Sequence, residues 1–507
     1  MQFTLVLIGA ASLAWAAPPP ALAPKTAITP TPASIDNLAL KPIAFPGLSS
    51  TVPKVAVNLP KGGHAKETAQ DQRFFEDIPE RFTSMDRMWD MSGNILNAMA
   101  NGTIPPSDVA SLIQKLFRAA QATSTPRSVS EALRLAGSSF DNANPNRPRN
   151  LLGAALALMI NGFTSDDLKN TIDGNPPAAL VNDNPPVPAD KNFYQKDGNA
   201  PFSVSEDDLR AAIHVPSGFT WGQKQPVLMS PGTGSTGLET FEHNFGGLLA
   251  SSSVADPVYL IVPHTLLDDV QVNAEFVAYA LQYLNAMTNR TVAAVTWSQG
   301  SVDTQWALKY WPSVRKIVTD HIPISGDYGG TTLAYLLCPG FSAGNQYLCT
   351  PAILQQTQGA RFIHQLRSND GDSAFVPTTS VYSAADEIVQ PQLGEGASAF
   401  IKDVRGVGVS NIYLQRDCAS QPSGGLYLHE GVLYNPTAYA LIIDALTHDG
   451  PGSLSRVTNS CRDSVAPGLN TASVIQAETL IPSLLYRALT YSSKLVEEPA
   501  IKSYATY

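Results

Sequence analysis

The stretch AAVTWSQGSVDTQW, residues 293 to 306, decides the fold prediction. Around it, TVAAVTW (291–297) has the β-branched content of a strand, and SVDTQWALKYW (301–311) repeats apolar residues at helical spacing. Ser298 therefore lies in a turn between a strand and a helix, where a G-x-S-x-G nucleophile elbow lifts a serine hydroxyl above the edge of a sheet. Because Thr296 replaces the first glycine of that signature, the interpretation depends on the strand–turn–helix setting.

The same alternation of strand and helix continues along the chain. Short β-branched runs occur at PVLMS (226–230), at PVYLIV (257–262) and just before Gly326. Between them lie the helical patterns ETFEHNFGGLLASS and QVNAEFVAYALQYLNAM. Such alternation predicts an α/β fold with a mostly parallel sheet that helices cover on both faces.

Composition divides the chain into five segments. The first residues form an apolar run that ends in small residues, which is typical of a secretory signal peptide, although the usual positive residues are missing. A Pro- and Ala-rich stretch follows, with too little patterned apolar content to fold alone. We predict a secreted chain with a signal peptide at 1–17, a flexible segment at 18–65, a smaller helical region at 66–173, a linker at 174–195 and a catalytic domain at 196–507.

The charge and the motif content exclude several partners. The 507 residues carry a formal net charge of −10 without a run of Lys or Arg, which argues against nucleic acid and against adsorption to anionic membranes. The N-terminal apolar run is short for a bilayer, and LLGAALALMINGF (151–163) is better interpreted as a buried helix, so we expect no transmembrane anchor. The sequence contains neither CxxC nor HExxH, and we expect no metal or cofactor.

Four cysteines form an even set in a chain that we expect to be secreted, so two disulfides are predicted. Three pairings are possible, and the spacing favours pairing within the first two and within the last two cysteines. Asn101 and Asn289 begin glycosylation sequons, which are compatible with secretion. The four cysteines are Cys338, Cys349, Cys418 and Cys461.

A nucleophilic serine needs a base and an acid, and an elbow of this type is followed along the chain first by the acid and then by histidine. SVYSAADEIV reads as a strand that runs into a loop, which makes Asp386 the candidate acid. Beyond it lie His429, after the short apolar run GLYLH that we interpret as a strand, and His448, at the end of a helical pattern. A histidine at a helix C-terminus more often has a structural role, so we select His429 as the base.

The glycine-rich stretch LMSPGTGSTG (228–237) follows the first strand of the pattern and opens toward a helix. Such a turn can aim backbone N–H groups at one point above a sheet, as an oxyanion hole does. A phosphate-binding loop is the competing interpretation, but no G-K-[ST] is present and the spacing fails G-x-G-x-x-G. Thr233, through its N–H and hydroxyl, and the N–H of Gln299 are the expected donors.

The motifs PVLMSPGTGSTG, DDVQVNAEF, AVTWSQG, YSAADEIVQPQ and LYLHEG resemble the fungal lipase B family of the α/β-hydrolase superfamily, from about residue 201 to the C-terminus. The resemblance implies an α/β-hydrolase fold, with the triad Ser298, Asp386 and His429 and an oxyanion hole at Thr233 and Gln299. It further implies that Asp327 and Gln356 line the substrate pocket, that Trp297 bounds its alcohol side, and that Cys418 pairs with Cys461.

The sequence also departs from the family pattern. Ser301 replaces a glycine just after the elbow, and residues 329–355, where a mobile cover would lie, are different. We expect Cys338 and Cys349 to form a disulfide within a loop, which has no counterpart in the family. The helical region before residue 195 has no counterpart in the type member; a pro-region, a cap and a substrate-binding accessory are all open, and the absence of Lys-Arg and Arg-Arg pairs favours its retention.

These features predict a secreted serine lipase or carboxylic ester hydrolase that acts on acylglycerols or related apolar esters, with a lipid–water interface as a possible setting. An acyl-enzyme mechanism would also permit transacylation. The alternatives are a short-chain esterase or polyesterase, and a non-catalytic, hydrolase-like binding module.

Overall fold

The computed structural model describes most of the chain. The predicted signal peptide and the Pro- and Ala-rich segment lie outside the described residues. The structure describes residues 69–122, 124–140, 150–176, 180, 182–334, 337–338 and 349–506.

Helices occupy the described part of the chain before the linker. Several begin where a Ser or Asn side chain accepts an N–H from the first turn: Ser84, Ser128, Asn150 and Ser165 each cap a helix in this way. The helices are α1 Ala69–Asp77, α2 Met85–Ala100, α3 Pro106–Ala119, α4 Val129–Ser139, α5 Leu151–Ile160 and α6 Asp166–Ile172.

A seven-stranded sheet follows, with strand order β1-β3-β2-β4-β5-β6-β7. All neighbouring strands pair in parallel except β1, which is antiparallel to β3 at one edge. The strands are β1 Ile213–His214, β2 Gln225–Ser230, β3 Ala255–Leu260, β4 Val292–Trp297, β5 Val318–Ile324, β6 Thr378–Tyr382 and β7 Val409–Tyr413.

Helices on both faces cover the sheet, as the strand side chains show. Along β2, Val227 and Met229 join one apolar cluster whereas Leu228 joins another, and Ala293 and Ala294 on β4 divide in the same way. The remaining helices are α7 Glu206–Ala211, α8 Gly237–Phe241, α9 Phe245–Ala250, α10 Val270–Thr288, α11 Gln299–Tyr310, α12 Pro312–Arg315, α13 Pro351–Gln355, α14 Arg361–Arg367, α15 Leu414–Asp417, α16 Pro436–Thr447, α17 Thr471–Glu478 and α18 Leu480–Thr490.

The N-terminal helices share a core with the C-terminal helices. Leu116 and Phe117 of α3 belong to the same buried cluster as Leu484 and Leu485 of α18. The rings of Phe117 and Tyr486 meet edge to face with centroids 5.2 Å apart. The boundary of this region was predicted at residue 173, and we propose that the helices before it are integrated into the fold of the α/β region.

Two sequence expectations about local structure have different outcomes. Disulfides join Cys338 to Cys349 and Cys418 to Cys461, as the spacing favoured. The strand expected in GLYLH is wrong: residues 426–428 form no strand. Tyr427 and Leu428 are buried in a loop, and side chains hold that loop, since Ser383 Oγ donates to Tyr427 O at 2.6 Å. Burial without sheet pairing explains Tyr427 and Leu428, whereas Leu426 is exposed.

The described helices include none that is long and apolar enough to cross a membrane. The run at 151–163 is instead the core of the N-terminal region, since α5 is buried from Leu151 to Met159. This agrees with its interpretation as a buried helix.

Truncating Phe117 to alanine tests whether the N-terminal helices and the α/β region unfold together. Such a truncation in a packed core costs roughly 3–5 kcal/mol. We expect Phe117→Ala to lower the denaturant midpoint measured by far-UV and by near-UV circular dichroism by the same amount. Phe75→Ala, a control at a half-buried phenylalanine of α1, should cost less. Separate transitions, with the α/β transition unchanged in Phe117→Ala, would contradict the shared core.

Candidate active site

The turn between β4 and α11 has the backbone of a nucleophile elbow. Ser298 adopts φ 51° and ψ −125°, a left-handed conformation that a serine occupies only when its surroundings enforce it. Its N–H donates to Ile324 O on β5 at 3.1 Å. A Cβ on Gly300 would lie 2.6 Å from the carbonyl oxygens of Ser230 and Pro231, so the second glycine of the signature is required by close packing.

Thr296, at the place of the first signature glycine, is fully buried and has a specific partner. Its Oγ1 lies 3.2 Å from Nε2 of His321 on β5, and the hydroxyl of Tyr328 lies 3.4 Å from Nδ1 of the same ring. Burial lowers the pKa of His321 to about 3, so the ring is neutral and can serve one hydroxyl as donor and the other as acceptor. The threonine is accommodated because this neutral histidine satisfies its hydroxyl.

The predicted base and acid are hydrogen-bonded to each other. His429 Nδ1 lies 2.7 Å from Asp386 Oδ2, and both side chains are buried. The other carboxylate oxygen, Oδ1 of Asp386, accepts the N–H groups of Ile388 at 3.0 Å and Val389 at 2.6 Å. These donors fix the carboxylate, and the carboxylate in turn orients the imidazole.

The backbone of His429 is anchored on both sides. Its N–H donates to Glu387 Oε2 at 2.9 Å, and its carbonyl accepts from Ser325 Oγ at 2.9 Å and from Trp297 Nε1 at 3.2 Å. The rings of Trp297 and His429 lie 4.9 Å apart, so the residue beside Ser298 contacts the base directly. Burial lowers the pKa of His429, but the attraction and hydrogen bond of Asp386 outweigh it, and the pKa is raised above its ordinary value.

Sequence reasoning missed a group of buried carboxyls beside the base. Burial raises the pKa of Glu387 to about 7, and burial together with the repulsion of Glu387 and Glu478 raises that of Glu430 well above its ordinary value. Glu478 accepts from Tyr434 Oη at 2.7 Å. Burial therefore favours the neutral forms of Glu387 and Glu430. Their position in the sequence could have indicated them, because Glu387 directly follows the predicted acid and Glu430 directly follows the predicted base.

The expected oxyanion residues meet above the sheet. Thr233 Oγ1 lies 2.6 Å from Gln299 Oε1, and Nε2 of Gln356 lies 3.0 Å from each of these two atoms. The three side chains are buried. The structure therefore brings Thr233 and Gln299 together, and it places Gln356, which was expected only to line the pocket, in contact with both.

Ser301, the departure from the family pattern, has two partners. Its hydroxyl donates to Ser298 O at 2.6 Å, and Asp327 N donates to its Oγ at 3.2 Å. Burial raises the pKa of Asp327 to about 7. Ser301 thus links the elbow to Asp327, one of the expected pocket residues.

The remaining histidine candidate lies elsewhere. His448 follows α16 and is exposed, and its Nδ1 lies 3.0 Å from Asp444 O, which agrees with a structural role at a helix end. Within the part of the chain that the structure describes, no group of three or more His, Cys, Asp or Glu side chains is arranged to hold a metal ion.

Known proteins are similar to this chain in sequence and in fold, although no protein-family model matches the chain. The chain is 35% identical over 193 residues to lipase B of Pseudozyma antarctica, a match that covers 38% of the chain and 54%, about half, of that curated relative. The crystal structure of Aspergillus fumigatus lipase B matches with a TM-score of 0.72 and 41% identity, over 81% of this chain and 99% of that one. The chain belongs to the lipase B family.

Membership of the lipase B family confirms the predicted α/β-hydrolase fold class and the resemblance read from the motifs. Residues 196–507 make up less than 81% of the chain, so the match to the Aspergillus structure also includes part of the helical N-terminal region. A solved lipase B therefore shares part of the helical N-terminal region, for which the sequence resemblance gave no counterpart.

The raised pKa of Asp327 predicts a pH dependence of stability. The folded protein keeps a proton on this carboxyl up to about pH 7, whereas the unfolded chain releases it near pH 4, so unfolding becomes easier as pH rises through this window and is constant above it. Asp327→Asn removes this dependence. We expect the variant to lose less stability than wild type between pH 4.5 and 7.5 in urea unfolding, by on the order of 3 kcal/mol.

The matched control is Asp190→Asn, which replaces an exposed carboxyl. It should leave the pH profile of the unfolding free energy as in wild type. An identical profile for Asp327→Asn and wild type would show that Asp327 is ionised in the folded protein, contrary to its buried setting.

Proposed function

We propose that this protein is a secreted serine lipase that hydrolyses acylglycerols or related apolar carboxylic esters through an acyl-enzyme. The observation that supports the proposal most directly is the buried Asp386–His429 pair, 2.7 Å apart, next to a strained Ser298 elbow. The two relatives that share the fold and the motifs are both lipase B by name.

In the first half-reaction, His429 Nε2 accepts the proton of Ser298 Oγ as that oxygen attacks the ester carbonyl carbon. The carbonyl oxygen becomes an oxyanion, which accepts hydrogen bonds from the N–H and hydroxyl of Thr233 and the N–H of Gln299. Asp386 stabilises the imidazolium through Nδ1–H. The intermediate then expels the alcohol, which takes its proton from His429 Nε2.

In the second half-reaction, water loses a proton to His429 Nε2 and attacks the acyl carbon, and Ser298 Oγ leaves with that proton. An alcohol in place of water gives a new ester, which is the transacylation expected of such an intermediate. The contact of 2.7 Å between His429 Nδ1 and Asp386 Oδ2 supports this cycle, because it orients the imidazole.

The pocket supports an apolar ester as substrate. Trp297 bounds the alcohol side and contacts the base, and Asp327 and Gln356 supply the polar groups beside the elbow. The family and the apolar N-terminal run support secretion, and two disulfides fit an oxidising compartment. Asn101 and Asn289, the two sequon residues, are exposed and so accessible to a glycosyltransferase.

Replacing Ser298 with alanine tests the proposed nucleophile. Loss of the nucleophile from a triad that acts as a unit lowers kcat by about 10⁶-fold, so hydrolysis of every ester in a panel should fall to background. The panel contains soluble short-chain esters and an emulsified long-chain triacylglycerol. Ser251→Ala, which removes an exposed serine hydroxyl at the end of α9, is the control and should keep wild-type rates.

Each outcome of the panel assigns a function. A preference for the emulsified substrate supports a lipase, and a preference for soluble short-chain esters supports the esterase alternative. Hydrolysis that persists in Ser298→Ala overturns the nucleophile, and a wild type without activity on any ester favours the hydrolase-like binding module.

A further inference from the structure

We propose that Gln356 is a positioning residue of the oxyanion hole, which allows the Thr233 hydroxyl to turn from the protein to the substrate. This inference rests on the proposed function and deepens it. It assigns a catalytic consequence to a side chain that touches the donor and not the reacting atoms.

The Thr233 hydroxyl is already engaged before substrate arrives. It lies 2.6 Å from Gln299 Oε1 and 3.3 Å from Gln356 Oε1, two amide oxygens that can only accept, and the shorter contact takes the single proton of the hydroxyl. A hydroxyl with one proton cannot also donate to an oxyanion. Donation to the substrate therefore requires the proton of Thr233 to rotate away from Gln299.

That rotation alone would leave Gln299 Oε1 without its donor in a buried site, which is costly. Gln356 Nε2 prevents this. It lies 3.0 Å from Gln299 Oε1 and 3.0 Å from Thr233 Oγ1, and an amide NH₂ has two protons. After the rotation, one proton can bond Gln299 Oε1 and the other Thr233 Oγ1.

The second of these bonds also affects the donor itself. A hydroxyl that accepts a hydrogen bond is polarised and donates more strongly, because hydrogen bonds in a chain reinforce one another. Two hydrogen bonds then follow each other: Gln356 Nε2–H donates to Thr233 Oγ1, and the Thr233 hydroxyl donates to the oxyanion. The second bond is the one made in the transition state. Its strengthening should appear in kcat.

The Gln356 amide is held in place to do this. The residue caps the C-terminus of α13, where its own N–H donates to Ala352 O at 3.0 Å, and its carbonyl accepts from Thr331 N at 2.8 Å. Ala352 O also lies 3.0 Å from Gln356 Nε2. Gln299 Oε1 and Ala352 O can only accept, so before the rotation they take the two amide protons and fix the position of the nitrogen. When one of these protons turns from Ala352 O to Thr233 Oγ1, Ala352 O keeps the backbone N–H of Gln356 as its donor.

A double-mutant cycle distinguishes this role from pocket lining. The variants are Gln356→Leu, Thr233→Val and the double variant, assayed for kcat and KM on a soluble short-chain ester. Thr233→Val removes the hydroxyl and should lower kcat by about 10²–10³-fold. Gln356→Leu should lower kcat by roughly tenfold or more, with KM nearly constant, because it weakens an interaction made in the transition state.

The decisive measurement is the double variant. Since Gln356 acts through the hydroxyl, its loss should cost little once the hydroxyl is absent, and the double variant should be about as slow as Thr233→Val. Gln356→Met, which keeps the length of the side chain without its donors, should reproduce the Leu result if the Leu variant folds poorly. Gln358→Leu, at an exposed neighbour, is the control and should leave kcat unchanged.

Two results would overturn the proposal with an active wild type. A double variant whose loss is the product of the two single losses would show that Gln356 acts independently of Thr233. A change in KM alone for Gln356→Leu would show that Gln356 only lines the substrate pocket. In contrast, a wild type without Ser298-dependent ester hydrolysis would contradict the proposed function and this inference together.

Discussion

The parallel pairing of β2 with β4 is the constraint on which the site depends. The register places Ser230 beside Thr296, so the turns that follow the two strands emerge at the same edge of the sheet. Gly300 and Gly232 then allow the turns to approach so closely that a Cβ on Gly300 would meet carbonyl oxygens at 2.6 Å and one on Gly232 would meet the Trp297 ring at 2.6 Å. This approach brings the candidate oxyanion loop to the candidate nucleophile.

Around this edge, burial raises the pKa of several carboxyls. Four buried carboxyls lie near His429, which is also buried: Asp327, Asp386, Glu387 and Glu430. Burial raises the pKa of Asp327 and of Glu387 to about 7 and raises the pKa of Glu430 well above its ordinary value, which favours their neutral forms. These buried carboxyls lower the stability of the folded protein as pH rises. Asp386 instead accepts two backbone N–H groups and contacts His429. Asp386 in turn orients the imidazole of His429.

Patterns within short stretches of sequence predicted the features that depend on neighbouring residues. The strand of β4, the helix after it and the elbow between them follow from β-branched content and helical spacing, and the fold class followed from their repetition. The order of Ser, Asp and His along the chain also selected Asp386 and His429, whose side chains lie 2.7 Å apart, and the catalytic role of the three residues stays a prediction. The strand expected in GLYLH was wrong because apolar residues such as Tyr427 and Leu428 are also buried in loops, and the Tyr427 carbonyl bonds a side chain, Ser383, instead of a neighbouring strand.

Contacts between distant segments could not be predicted in the same way. Gln356 reaches Thr233 and Gln299 across 123 and 57 residues of sequence, and no periodicity reports such a meeting. The packing of α3 on α18 likewise depends on apolar faces whose partners are not specified by either segment. His321, which satisfies Thr296, lies on the neighbouring strand and was recognisable only once β4 and β5 were paired.

The central claim is that Ser298 is the nucleophile activated by His429 and Asp386, and peptide mapping after reaction with a fluorophosphonate tests it most directly. Trypsin should release residues 291–309, which contain both Ser298 and Ser301, and fragmentation of that peptide locates the adduct. We expect the adduct on Ser298 only, formed about 10⁴-fold more slowly in Asp386→Asn. An adduct on Ser301 or outside this peptide, or an unchanged rate in Asp386→Asn, would contradict the account.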